Sequence, residues 1–386
     1  MMLRLRRDFL KLLSATLAIV QVPEFLLATV SSSDSFVICD DSGAPNTYLQ
    51  NDLVESSPGI LKLWQYGTDK FKAYHIPFTG HGMTQNPARP NEIAVFSKWG
   101  DEALILDLKE KSAVRIIKED PGHRFFGHGV FSADGKKLFS SGHDDANSIG
   151  EIVVRDSKSL KVISRFSAFG RYAYDLQFNA LKNELIIAVS SDYEDAANEE
   201  ISTPHFSEET SLVYINASNG NFIKRLKIPE QGKSLLHFQQ AEDGWIIAAG
   251  QANTKDTSSQ KSYAIAISPS GKIKSMKFPD DFRGSFFGET LGITLFEKKS
   301  LAFVTNPSTK LIFIWNYKTQ ELLKYFYIPD RPKAIAITSD KKQVLITETK
   351  TKSLLRIDTE KMTNMGREKG SELSGYGAHM LRLKPF

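Results

Sequence analysis

A short unit that returns at near-constant spacing constrains this chain more than any other feature. His128-Gly-Val-Phe-Ser-Ala-Asp-Gly135 and His237-Phe-Gln-Gln-Ala-Glu-Asp-Gly244 align without a gap. The same unit recurs from Ala334, loosely from Asp175, and in degenerate form from Leu291, with shorter matches at His81 and His379. The first position therefore falls at 81, 128, 175, 237, 291, 334 and 379, with spacings of 47, 47, 62, 54, 43 and 45 residues. A four-stranded β-propeller blade takes about 40–45 residues, so the two longer intervals mark insertions.

The segments between these positions have strand character. Glu151–Arg155, Leu185–Val189, Ala264–Ile267 and Leu311–Trp315 are short apolar, β-branched runs bounded by Gly, Asn, Asp, Ser and Pro. Seven units predict an all-β fold, a seven-bladed β-propeller of four-stranded blades that forms a single domain over 36–386. A chain of separate small β domains would not keep the register of the unit. A ring removes exposed sheet edges only if its ends meet. The runs at Phe36–Cys39 and Leu61–Tyr66 are therefore expected to complete a blade with the last strand, His379–Leu383.

Residues 1–30 stand outside this pattern. A basic start, Leu3-Arg4-Leu5-Arg6-Arg7-Asp8-Phe9-Leu10-Lys11, precedes the apolar run Leu12 to Val22, which Glu24 follows. The run is shorter than the roughly 20 apolar residues a membrane span needs, so it reads as an export signal. Arg6-Arg7 with Phe9-Leu10-Lys11 resembles a twin-arginine signal, Leu5 standing in the usual Ser or Thr place. That implies a periplasmic protein exported already folded; an ordinary signal or an uncleaved anchor are the alternatives. Cys39 is the only cysteine, which excludes a disulfide framework, a Cys-based zinc or iron–sulfur site and covalent c-type haem. A net charge of +4, with both signs interspersed, gives no case for nucleic acid. A monomer without a transmembrane span after signal removal is expected.

Half of the eight histidines occupy four of the seven equivalent positions. The occupants are His81, His128, Asp175, His237, Leu291, Ala334 and His379. If the unit begins the innermost strand, closure carries these side chains to one axis. His81, His128, Asp175, His237 and His379 then suit a transition metal (iron or copper), haem or a small anionic ligand. The other reading is structural, with each histidine hydrogen-bonding inside its own blade. Arg124, Arg171, Arg283 and Arg331 precede four inner strands and could serve an anion at the same mouth. The loops Gly142–Ser148 and Ser191–Glu200, continuing to Glu209, would set Asp144, Asp145, Asp192, Glu194, Asp195, Glu199 and Glu200 on that rim. They could attract a cation or a basic partner, or be solvated loops.

No phosphate-binding glycine loop, nucleophile elbow or H-E-x-x-H occurs, so no local motif supports catalysis. Phe303-Val-Thr-Asn306 followed by Leu311–Trp315 resembles the YVTN-type propeller repeat. More broadly, the chain is similar to a family of twin-arginine-exported periplasmic propellers of unknown function, often encoded beside imelysin-type iron-uptake proteins and di-haem peroxidases. The matching segments are Arg6-Arg7-x-Phe9-Leu10, Gly80-His81-Gly82, Phe126–Gly135, Gly150–Asp156, Ser211–Tyr214 and Ser234-x-x-His237. Where that family usually carries Pro-His-Asp or Pro-His-Glu, this chain has Ala173-Tyr174-Asp175, and an acidic segment near Asp192–Glu209 replaces a Thr-His-Pro stretch. The resemblance implies a periplasmic binding or scaffold propeller linked to iron or haem acquisition, with imelysin-type proteins as partners. A channel-based hydrolase of lactonase type, needing a histidine base beside an arginine or metal, is the alternative. An acidic docking platform is a third.

Overall fold

The computed structural model of the protein describes residues 34–40, 58–68, 71–110, 114–190, 210–228, 233–252, 262–278, 290–349, 353–368 and 379–385. The signal segment 1–30 lies outside the described residues. Twenty-eight strands form seven four-stranded antiparallel sheets. Their first strands are Gly80–Gln85, His123–Phe131, Tyr172–Asn179, Lys233–Gln240, Ile293–Phe296, Pro332–Ile337 and Met380–Leu383. Each touches the first strand of the next sheet, and the seventh touches the first. This is the expected seven-bladed β-propeller. Among the described residues no helix is long and apolar enough to cross a membrane.

The ring closes within the seventh blade. Its inner strand, Met380–Leu383, pairs antiparallel with Ser35–Asp40, Val37 opposite Leu381 and Phe36 opposite Arg382. Ser35–Asp40 then pairs with Gly59–Gln65, and that strand with Phe71–Ile76. The two ends of the described chain thus share one sheet. Phe36, Val37, Ile38 and Trp64 are fully or almost fully buried. At about 1.5–3 kcal/mol per large apolar side chain, their burial makes this blade a full member of the ring.

Most middle strands are apolar on both faces, because each blade is sandwiched between two others. In Glu184–Ser190, Leu185 and Ile187 pack against Phe139 and Val154 of the blade before. Ile186 and Ala188 pack against Ile246 and Ile265 of the blade after. Two-sided burial explains why these runs read as unbroken hydrophobic stretches with no polar alternation. Outer strands show the contrast: Glu321–Tyr327 alternates exposed and half-buried, since it has one neighbour and water.

The repeat position does not begin the inner strand, as the sequence suggested. His128 is the sixth residue of its strand, which starts at His123. The position instead marks a break in strand pairing. Register slips between Gly80 and Met83, Phe125 and Gly129, Ala173 and Leu176, Leu235 and His237, and Pro332 and Ile335. A bulge adds a residue to one strand and re-aims a side chain. Hydroxyls on the second strand pin two of these irregularities, Ser141 Oγ accepting from the His128 amide and Thr347 Oγ1 from Ala334, and Thr305 Oγ1 accepts from Gly292 at the equivalent point of the fifth blade.

Candidate metal centre on the propeller axis

Four imidazoles, three of them at these bulges and His379 just before its strand, come close to one another. His81, His128, His237 and His379 come from four blades, and their ring centroids are 4.7–5.3 Å apart for every pair except His81–His237 at 6.5 Å. One ligand nitrogen from each of His81, His128 and His379 falls within 4.8 Å of the others. Two glycines permit this approach. A Cβ on Gly127, whose φ is +98°, would stand 2.7 Å from the His81 ring. A Cβ on Gly82 would stand 2.9 Å from His128 Nδ1 and still closer to the Gly127 carbonyl.

Asp175 completes the group. Its Oδ1 lies 3.5 Å from His128 Nδ1 and its Oδ2 3.8 Å from His237 Nδ1, and the Phe238 amide donates to Oδ2. Those separations are for charge attraction, not hydrogen bonding. They still favour a proton on Nδ1 of His128, which leaves the Nε2 lone pair facing inward. His128 Nε2 and His379 Nε2 are buried and have no hydrogen-bond partner among the described residues. In the reading where each histidine hydrogen-bonds within its own blade, such ring atoms would be satisfied. The ring contacts of His81 and His128 instead run between blades.

The electrostatics follow from burial. Desolvation, reinforced by the neighbouring imidazoles and Lys98, holds His81 and His128 well below the usual histidine range. His379 is pulled down to about 3 by the same causes, against the pull of Asp175. Burial pushes the Asp175 carboxyl up to about 7, against the pull of the amides of Phe238 and Leu176. At neutral pH His81, His128 and His379 are therefore neutral donors. Leu291 and Ala334 hold the equivalent positions in the fifth and sixth blades, so the donor set is one-sided.

The site is also closed at one end. Phe126, Tyr174, Leu236 and Leu291 form a buried layer with Trp99 against it, and the Tyr174 hydroxyl is 3.0 Å from His81 Nε2. Lys98 Nζ lies over the Tyr174 ring at 5.2 Å. On the other side a cavity of about 270 Å³ runs along the ends of the inner strands. His128, Asp175, His237 and His379 line its floor, and Thr84, Val130 and Ile293 are among its walls. Tyr174 and Lys98 were not singled out from sequence as site residues; the adjacency of Tyr174 to Asp175 was the only available signal.

Asp144 and Asp145, the described part of the acidic rim, do not share this opening. The Asp145 amide bonds the Gly122 carbonyl and Asp144 pairs with His123, which places that loop at the start of the inner strand, away from the cavity. Asp145 is engaged by Arg124, and Asp144 accepts from Ala146 and Asn147. Asp192, Glu194, Asp195, Glu199 and Glu200 lie outside the described residues, as does Arg283. Arg171 sits over the Tyr172 ring and Arg331 is exposed; none of the described arginines lines the cavity.

A family model described as "Protein of unknown function (DUF1513)" matches residues 74–383. No curated protein matches the chain. Among solved structures, a chain of Kuenenia stuttgartiensis hydrazine synthase is similar with a TM-score of 0.62 at 13% identity, over 82% of this chain and 99% of that one. A chain in a crystal structure of the mitotic checkpoint complex gives 0.56 at 11%, over 77% and 78%. Likeness at such identity is likeness of fold.

Proposed function

The chain belongs to the DUF1513 family of proteins of unknown function, and from the axial cluster we propose that it is a metal-binding propeller. The ligands are His81, His128 and His379, with His237 and Asp175 completing or orienting the set. The observation that carries this reading is the pair of buried Nε2 atoms of His128 and His379 that have no hydrogen-bond partner among the described residues, in a cluster where one ring nitrogen each of His81, His128 and His379 lies within 4.8 Å of the others. Burying polar atoms without partners costs about 1–3 kcal/mol each, a cost that an ion removes.

Imidazole donors suit copper, zinc, nickel or ferrous iron, and the general affinity order favours copper. Three nitrogens at 2.0–2.1 Å from an ion stand roughly 3.3 Å apart, so binding draws the rings inward from their 4.8 Å spread. Imidazoles that already meet edge to face leave no slot for a macrocycle, which argues for a bare ion over haem. The resemblance to propellers encoded beside imelysin-type proteins keeps iron among the candidates. The twin-arginine-type start supports loading before export to the periplasm.

Metal analysis of protein recovered from the periplasm, followed by copper and zinc titration of the stripped protein, tests this. One equivalent of bound metal is expected, lost in both His128→Ala and His379→Ala. Wild-type protein that is metal-free and takes up neither ion overturns it.

A further inference from the structure

The two ends of the axial site differ, and the difference says what else binds there. On the His81 side, Tyr174 and the buried layer of Phe126 and Leu236 close the channel. On the other side, among the described residues, the cluster opens onto the 270 Å³ cavity. An ion held by three or four imidazoles, all from one side of the ring, keeps a coordination position directed at the cavity. That open position distinguishes reactive or ligand-binding metal sites from closed structural ones.

The cavity sets size and polarity. Its volume lies below the roughly 300–1,000 Å³ of drug-sized pockets. The lining is mostly polar, and Val130, Phe238, Ile293 and Ile335 give it one apolar portion. Gln177, a polar wall residue, already donates to the Phe238 carbonyl and accepts from the Gln240 amide. Charge decides the sign of the ligand. A divalent ion together with Lys98, whose charge reaches His81, His128 and His379, outweighs the single carboxylate of Asp175.

We infer that the cavity receives a small monoanion, one donor atom on the metal and a compact apolar body against the walls, of the short-chain carboxylate class. This rests on the metal-binding reading above. It makes the protein a receptor for an organic anion through its metal, and it places entry at the face opposite the Asp144–Asp145 loop.

The test uses the full-length protein loaded with Cu(II), followed by visible and paramagnetic resonance spectra. Azide, acetate and butanoate are expected to shift the copper signal saturably. Butanoate should bind more tightly than acetate, by about fourfold for each added methylene buried. Thr84→Trp, which fills the cavity from a wall position, should weaken butanoate at least tenfold while copper affinity is unchanged; Val130→Phe is the second variant should the first misfold. A copper spectrum indifferent to saturating azide and butanoate, or carboxylate binding without chain-length gain and untouched by both variants, overturns the inference while leaving the metal site standing. Failure to take up copper at all removes both.

Discussion

Acid should destabilise the metal-free protein through its axial histidines, and His379 gives the cleanest measure. The folded state holds this imidazole neutral down to about pH 3, whereas the unfolded chain protonates it near 6.5. Its contribution to stability is complete above 6.5 and is lost as the pH falls, because the unfolded state then binds the extra proton. The loss is about 1.4 kcal/mol per pH unit for one proton. Between pH 6.5 and 4 that amounts to about 3 kcal/mol. His81 and His128 act in the same direction. Asp175 acts oppositely: with its folded value raised to about 7, its contribution is present below the ordinary aspartate value of 3.8 and is lost as the pH rises towards 7. The histidines outnumber Asp175, and His143, lowered to about 4 by burial, adds to them, so stability falls as the pH drops from 6.5 towards 4. Urea denaturation of wild type and His379→Gln, in chelator at half-unit intervals, isolates one proton of this. The variant should gain about 3 kcal/mol relative to wild type between pH 6.5 and 4. A difference that stays constant over that range would refute the burial of a neutral His379.

Gly127→Ala should cost about 2–5 kcal/mol, since it combines a left-handed backbone with a Cβ 2.7 Å from the His81 ring, and it should also lower metal affinity. Denaturant midpoints and a metal titration check both, and an unchanged midpoint contradicts the close approach. Glu119→Gln should cost about 3–5 kcal/mol: the buried Glu119 carboxylate pairs with Arg155 at 2.6 Å and Arg165 at 3.0 Å, and removing it strands the fully buried Arg155. A loss below about 1 kcal/mol by calorimetry would show that Arg155 finds other partners.

Blade number, blade length and the site of closure were all legible in the chain, because each depends on local repetition. The unit at His128 and His237 recurs because each blade solves the same strand-and-turn problem. Phe36–Cys39 could be matched to the last strand because a ring forbids loose edges. The cluster was legible only as a list of positions. Spacing placed His81, His128, Asp175, His237 and His379 at equivalent points but could not say that a bulge sits at the first four, or that the side chains would meet. The Glu119–Arg155 pair escaped notice for a related reason: its members lie 36 residues apart with no motif linking them.

Local sequence therefore carried the module and its count, since strand period and turn chemistry act over a few residues. The angle between blades decided the rest: that the imidazoles meet, that Tyr174 reaches His81, and that the cavity opens at the end opposite the acidic loop. Those outcomes depend on where seven sheets stand relative to one axis, a long-range geometry set by packing between blades.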